Sequence, residues 1–252
     1  MNSIGKTIRL GFRLLKIGVS NPQRLSHVLG SALAATDDVA QRSCDLLRLP
    51  RIQVHDLLPE AGNPWMMKLA MFPRSHASIS VIEFTTLILL MKKAEARSLF
   101  EFGTYKGISV TQFALNLPAE SLICTLDLPD GTSDTQFAIP DPHEADIARQ
   151  GDKGSLVPPE LKSRVTFLKL DSAALDESPY AGRMDFVFVD GAHSYDYVKN
   201  DSEKGWRMLR SGGIIAWHDC RPQDPDVVRY LLESSYQPSL ILGTSVAFAI
   251  KP

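Results

Sequence analysis

The stretch MDFVFVDGAHSYDYVKND, residues 184–201, runs a nearly unbroken apolar segment into Asp190, Gly191 and His193 and then into a polar, helix-compatible sequence. Apolar side chains at successive positions mark a strand buried on both faces, the habit of parallel sheets covered by helices on both sides. Two readings of its polar end compete. Asp190 and His193 are either a strand end followed by a helix cap or a catalytic corner at the carboxyl end of a buried strand. The flanking sequence repeats the pattern. RSLFEFG, SLICTLDL, RVTFLKL and IIAWHD read as further strands, separated by helices over 78–96, over ISVTQFALNL and over SYDYVKNDSEKGWRMLR, the last ended by Ser211-Gly212-Gly213. PDVVRYLLESS is a helix, and SLILG and SVAFAIK follow each other closely enough to form an antiparallel pair. Strands alternating with helices at this spacing predict an α/β domain with a doubly wound, mostly parallel seven-stranded sheet and an antiparallel edge hairpin.

Domain organisation follows from where this regularity begins. Residues 1–75 read as a helical, then irregular N-terminal extension punctuated by Pro50, Pro59, Pro64 and Pro73, and residues 76–252 as the main domain. Within it, residues 129–159 are polar and rich in Gly, Pro and Asp, and are either a lid over a site or an insertion without a role. At 252 residues, 44% hydrophobic and 22% charged, the chain can bury a substantial core, and a net charge of -2 gives no general attraction to nucleic acid. Cys44, Cys124 and Cys220 are far apart and form no CxxC pair, which argues against a disulfide framework or zinc knuckle and leaves a reducing, cytoplasmic setting as the expectation. The first twenty residues differ from this balance. Lys6, Arg9, Arg13 and Lys16 fall on one side of a helix and Ile4, Ile8, Phe12, Leu15 and Val19 on another. Docking on the domain or on a second copy in a homodimer, peripheral contact with a membrane surface, and a cleaved targeting segment are the three readings of residues 1–20. No apolar run is long enough to span a bilayer.

The acidic residues lie where chemistry is expected. In open α/β sheets ligands bind beyond the carboxyl ends of the strands, and Glu101, Asp127, Asp171, Asp190 and Asp219 all stand at such ends. In LFEFGTYKGIS, Gly103 permits a tight turn and close backbone approach to a ligand, with the next helix's N-terminus behind it. The pattern is E-x-G-x-x-x-G rather than the G-x-G-x-x-G of a dinucleotide fold, and Tyr105 stands where the second glycine would be. Asp127 can accept two hydrogen bonds from a ribose diol or act as an acidic loop cap. Asp171 can bond an adenine amine or N-cap the following turn.

Taken together, FEFGTYKGIS, CTLDL, FLKLDS, MDFVFVDGAHSYDYVKND and SGGIIAWHD resemble the class I S-adenosylmethionine-dependent methyltransferases, in the branch that includes macrocin O-methyltransferase and cephalosporin-hydroxylase-like proteins. The resemblance covers about residues 80–252 and implies a Rossmann-like fold. It implies S-adenosylmethionine as cofactor, bound by Glu101, Gly103, Thr104, Tyr105, Gly107, Asp127, Asp171 and Asp190. It implies a divalent cation, Mg²⁺, at Asp190 and Asp219, with His218 where some relatives carry a carboxylate, and His193 as a general base beside Asp190. Cys220 replaces the amide ligand of catechol-type enzymes, so the metal is less firmly implied than the cofactor. Tyr195, Tyr197 and Trp217 stand near the same corner and either line an acceptor pocket or pack the core. The expected reaction is methylation of a hydroxyl on a small molecule, sugar or polyketide-like. Other chemistry on the same scaffold, as the hydroxylase naming suggests, and a non-catalytic nucleotide-binding protein are the alternatives. A nicotinamide-dependent dehydrogenase is disfavoured by Tyr105.

Overall fold

The structure is a computed structural model that describes residues 42, 43, 45–73, 79–132 and 134–252. The expectations for residues 1–20 lie outside the described residues. Among the described residues no helix is long and apolar enough to cross a membrane. The chain divides into two compact units, 1–44 and 45–252.

The second unit holds eight strands: β1 (Arg51–Ile52), β2 (Ser98–Phe102), β3 (Leu122–Asp127), β4 (Val165–Lys169), β5 (Met184–Val189), β6 (Leu209–Trp217), β7 (Ser239–Ile241) and β8 (Ala247–Ile250). They form one sheet in the order β1-β7-β8-β6-β5-β2-β3-β4. All neighbours are parallel except β6–β8 and β7–β8, so the antiparallel pair exists as expected. The eighth strand is β1, whose two residues pair with β7 and lie outside the hairpin. The helices that accompany the sheet include α1 (Val81–Lys93), α2 (Ile108–Asn116), α3 (Pro142–Arg149), α4 (Pro159–Lys162), α5 (Tyr195–Met208) and α6 (Pro225–Glu233).

Strand β5 shows why the sheet is doubly wound. Phe186 and Phe188 join a core with Leu87 and Leu90 of α1 and Phe113 of α2. Val187 and Val189 join a second core with Val198 and Met208 of α5 and Val227 and Leu231 of α6. Each fully buried Phe contributes about 1.5–3 kcal/mol, and the period-2 alternation of one strand feeds both layers. Residues 68–70 lie against α2 through side-chain amides. Gln112 and Asn116 bond both backbone groups of Ala70 and Lys68, at 2.7–3.0 Å.

One boundary differs from the sequence reading. Helix α5 ends at Met208 with no glycine cap, and Ser211-Gly212-Gly213 lie within β6. There the register against β5 shifts, with Gly212 at φ 76°. A glycine pair after a helical pattern signals a stop, but here it supplies the bulge that a β-strand needs.

Candidate active site

The carboxyl ends of β2, β3, β5 and β6 open on a pocket of ≈ 360 Å³, within the range of small-molecule sites. In its first half the turn after β2 is built around Gly103, at φ 97°. A Cβ there would lie 2.0 Å from the Asp190 carbonyl oxygen, so only glycine lets β2 end this close to β5. Tyr105 adopts φ 44°, a conformation side-chain-bearing residues rarely take. Its N–H donates to Asp127 Oδ2 at 2.6 Å, and the Leu128 N–H donates to Oδ1 at 2.8 Å. Lys153 Nζ lies 3.1 Å from the same Oδ1. Asp171 accepts from the Ala173 and Gln136 N–H groups and from the Tyr197 hydroxyl, at 2.8–2.9 Å. It is thus the N-cap of the short 3₁₀ turn 172–174 and a pocket residue at once.

The second half holds a cluster of carboxylates around two imidazoles. His193 Nδ1 lies 2.8 Å from Glu144 Oε1 and 3.3 Å from Asp224 Oδ1, and its Nε2 lies 2.8 Å from Asp219 Oδ2. The His193 N–H also donates to Glu144 Oε2 at 3.1 Å. His218 Nδ1 lies 3.1 Å from both Asp190 Oδ1 and Asp219 Oδ2, and its Nε2 is 3.6 Å from Glu83 Oε1. Arg221 Nη2 is 2.9 Å from Asp219 Oδ1. Burial opposes a charged imidazole, but hydrogen bonds to Asp219, Asp224 and Glu144 outweigh it and push His193 up to about 12. For His218 burial is likewise outweighed, by Asp190, Asp219 and Glu83. Burial raises Asp190, whereas His193 and His218 overcome burial and hold Asp219 well below the carboxylate range. Asp219 itself sits at φ 54°, a strained position of the kind that accumulates at functional sites.

Five carboxylates (Glu83, Glu144, Asp190, Asp219 and Asp224) thus surround two imidazoles and one guanidinium. This excess of oxygen donors suits a divalent cation. One ligand atom each from Asp190, His193 and Asp219 lie within 4.8 Å of one another, as do those of Glu144, His193 and Asp224. His193 thus stands in a candidate ligand group with Asp190 and Asp219, and His218 Nδ1 bridges the same two aspartates. Burial and the Asp219 charge push the Cys220 thiol up to about 12.

Of the strand-end residues singled out in the sequence, Asp127, Asp171, Asp190 and Asp219 all line the pocket, with Gly103, Thr104, Tyr105, His193 and His218. Glu101 does not. It is fully buried beneath the turn, accepts from Thr125 Oγ1 at 2.5 Å, and is held largely protonated because burial raises it to about 8 despite bonds from Ser109 and Thr125. Gly107 also lies behind the pocket and faces Val157 and Gly154. Among the aromatics, Tyr197 lines the pocket. Trp217 is core, its Nε1 donating to Ser202 Oγ at 2.8 Å, and Tyr195 turns away to Glu233. Sequence reasoning missed Glu83, Glu144, Lys153 and Asp224. Glu83 was legible only as half of the Ser80 capping box, and Glu144 and Lys153 lie in the insertion, where no periodicity marks them. The insertion lines the pocket through Asp141, Glu144, Ile147 and Lys153.

Residues 100–220 match the family model of a methyltransferase domain. Caffeoyl-CoA O-methyltransferase 1 of Zea mays is 27% identical over 196 residues, covering 77% of this chain and 68% of that protein. Caffeoyl-CoA O-methyltransferase 1 of Arabidopsis thaliana is 25% identical over 241 residues, covering 91% and 84%. A solved structure from Staphylococcus aureus, assigned as a caffeoyl-CoA O-methyltransferase, shares the fold with a TM-score of 0.51 at 14% identity, over 69% of this chain and 85% of that one. The mixed sheet, the methyltransferase-domain match across β2 to β6 and the similarity to these O-methyltransferases together indicate a class I S-adenosylmethionine-dependent O-methyltransferase.

Proposed function

We propose that the chain methylates a hydroxyl of a small molecule, with the cofactor at the Asp127 end of the pocket and the acceptor at the His193 end. One observation carries this reading: a ribose-type acid and an acid–imidazole cluster open into the same pocket. S-adenosylmethionine supplies the methyl group from its sulfonium. Asp127 would hold the ribose hydroxyls, Asp171 and Tyr197 the adenine side, and the 103–105 turn the amino-acid portion. Asp190 and Asp219 would hold a divalent cation such as Mg²⁺, which would acidify and orient a bound hydroxyl.

Transfer to a neutral hydroxyl requires a proton acceptor and close alignment. His193 is the base in this reading, in the neutral form that it would take once a cation at Asp190 and Asp219 displaces its proton. Glu144 and Asp224 at Nδ1 fix its ring and stabilise its cationic form, as a partner carboxylate does for a catalytic histidine. Nε2 is bonded to Asp219, so proton uptake there requires Asp219 to turn away, and Arg221 is the cation already beside it. The relatives' names point to a phenolic acceptor such as caffeoyl-CoA, beside the sugar or polyketide-like acceptors that the sequence resemblance suggests.

Calorimetric titration with S-adenosylhomocysteine and with NAD, repeated in Asp127→Ala, tests the cofactor. The first ligand should bind, the second should not, and the variant should lose most of the affinity. Turnover of caffeoyl-CoA and of a panel of glycosides and polyketides, with and without EDTA and in His193→Ala, tests the rest. Undiminished turnover in chelator removes the metal, and unchanged turnover in the variant removes the base.

A further inference from the structure

The Lys153 side chain is 3% exposed, rare for a lysine, and it stands in the cofactor half of the pocket. Its Nζ donates to the Ile147 carbonyl at 3.1 Å and lies 3.1 Å from Asp127 Oδ1. Its backbone neighbourhood is fixed to the cofactor turn. The Gly154 N–H donates to the Tyr105 carbonyl at 2.7 Å and the Leu156 N–H to the Lys106 carbonyl at 2.9 Å. Val157 meanwhile fills the space where Gly107 lacks a side chain. The insertion is thus part of the cofactor turn, and Lys153 is its contribution to the acid at the end of β3.

A carboxylate offers about two acceptor directions on each oxygen. On Asp127, Oδ2 takes one donor, the Tyr105 N–H, and keeps one direction open. Oδ1 takes the Leu128 N–H and is ion-paired with the Lys153 ammonium at 3.1 Å. A cis-diol that donates to both oxygens therefore competes at Oδ1 with the ion-paired ammonium. The Leu128 amide belongs to the adjoining chain and stays, whereas the ammonium is the end of a flexible side chain with a second acceptor at Ile147. We propose that Lys153 is an affinity-setting residue of the cofactor site, a counter-cation that the cofactor's ribose displaces from Asp127. This rests on the reading of Asp127 as the ribose acid.

The test is calorimetric titration of S-adenosylhomocysteine into the full chain as wild type, Lys153→Met, Asp127→Asn and the double variant, with folding checked by circular dichroism. The wild type binds. Lys153→Met binds about fivefold to twentyfold tighter, the range set by relief from one competing buried ion pair. In the Asp127→Asn background the same substitution changes affinity by less than about twofold, because the cycle isolates the pair. A destabilised pocket would lose affinity, so a gain separates this role from a structural one. Affinity that is unchanged or weaker in Lys153→Met, with the wild type still binding, overturns the proposal and leaves the cofactor reading intact. A wild type that binds no S-adenosylhomocysteine removes both. Should Lys153→Met not fold, Lys153→Gln is measured against the same expectations.

Discussion

Glu101→Gln should stabilise the protein in a strongly pH-dependent way. Glu101 is fully buried, and burial lifts it from an ordinary 4.5 to about 8. The folded chain therefore holds this proton over a range where the unfolded chain has lost it. Its contribution is complete below about pH 4.5 and is lost progressively as pH rises to about 8. At about 1.4 kcal/mol per pH unit, the roughly 3.5 units between those limits amount to a ceiling of about 5 kcal/mol. Glutamine keeps an oxygen for Thr125 Oγ1 and cannot ionise. The variant should match the wild type within about 1 kcal/mol at pH 5 and exceed it by about 3–5 kcal/mol at pH 8.5. Urea denaturation of both proteins from pH 5 to 8.5 measures this directly, since His193, His218 and the surface groups are common to both and cancel in the difference. A difference that stays flat with pH would refute the buried, protonated Glu101.

Three further outcomes follow from the site. Gly103→Ala, whose Cβ would sit 2.0 Å from the Asp190 carbonyl at φ 97°, should cost about 3 kcal/mol or more, a fall in Tm of about 6–12 °C. A fall below about 2 °C would show that β2 and β5 can part cheaply. Mn²⁺ affinity should rise with pH between 6 and 8, because a cation at Asp190 and Asp219 displaces protons that raised His193 and His218 carry. Calorimetry in two buffers of different ionisation heat counts those protons, and Asp219→Asn should weaken binding about tenfold or more. Tyr197→Phe removes one of the three donors on Asp171 and should weaken S-adenosylhomocysteine binding by about threefold to tenfold, read in the same titration.

The linear order of the chain determined the sheet. Apolar runs of four to six residues, each ending in an acid, can be buried only as parallel strands between helical layers, and Phe186 to Val189 fill both cores as that pattern requires. The same logic brought Asp127, Asp171, Asp190 and Asp219 to one edge, because parallel strands share their carboxyl ends. Tertiary structure decided what periodicity carries no information about. It set Glu101 beneath the pocket instead of in it, since one residue's step along a strand reverses the face a side chain takes. It turned the Gly212–Gly213 pair into a strand bulge, because the register of β5 against β6 outweighed the local preference for a helix stop. It also carried Glu144 and Lys153, from a segment with no apolar rhythm, into contact with His193 and Asp127. Those contacts are polar and lie tens of residues apart in sequence, so only the folded chain places them together.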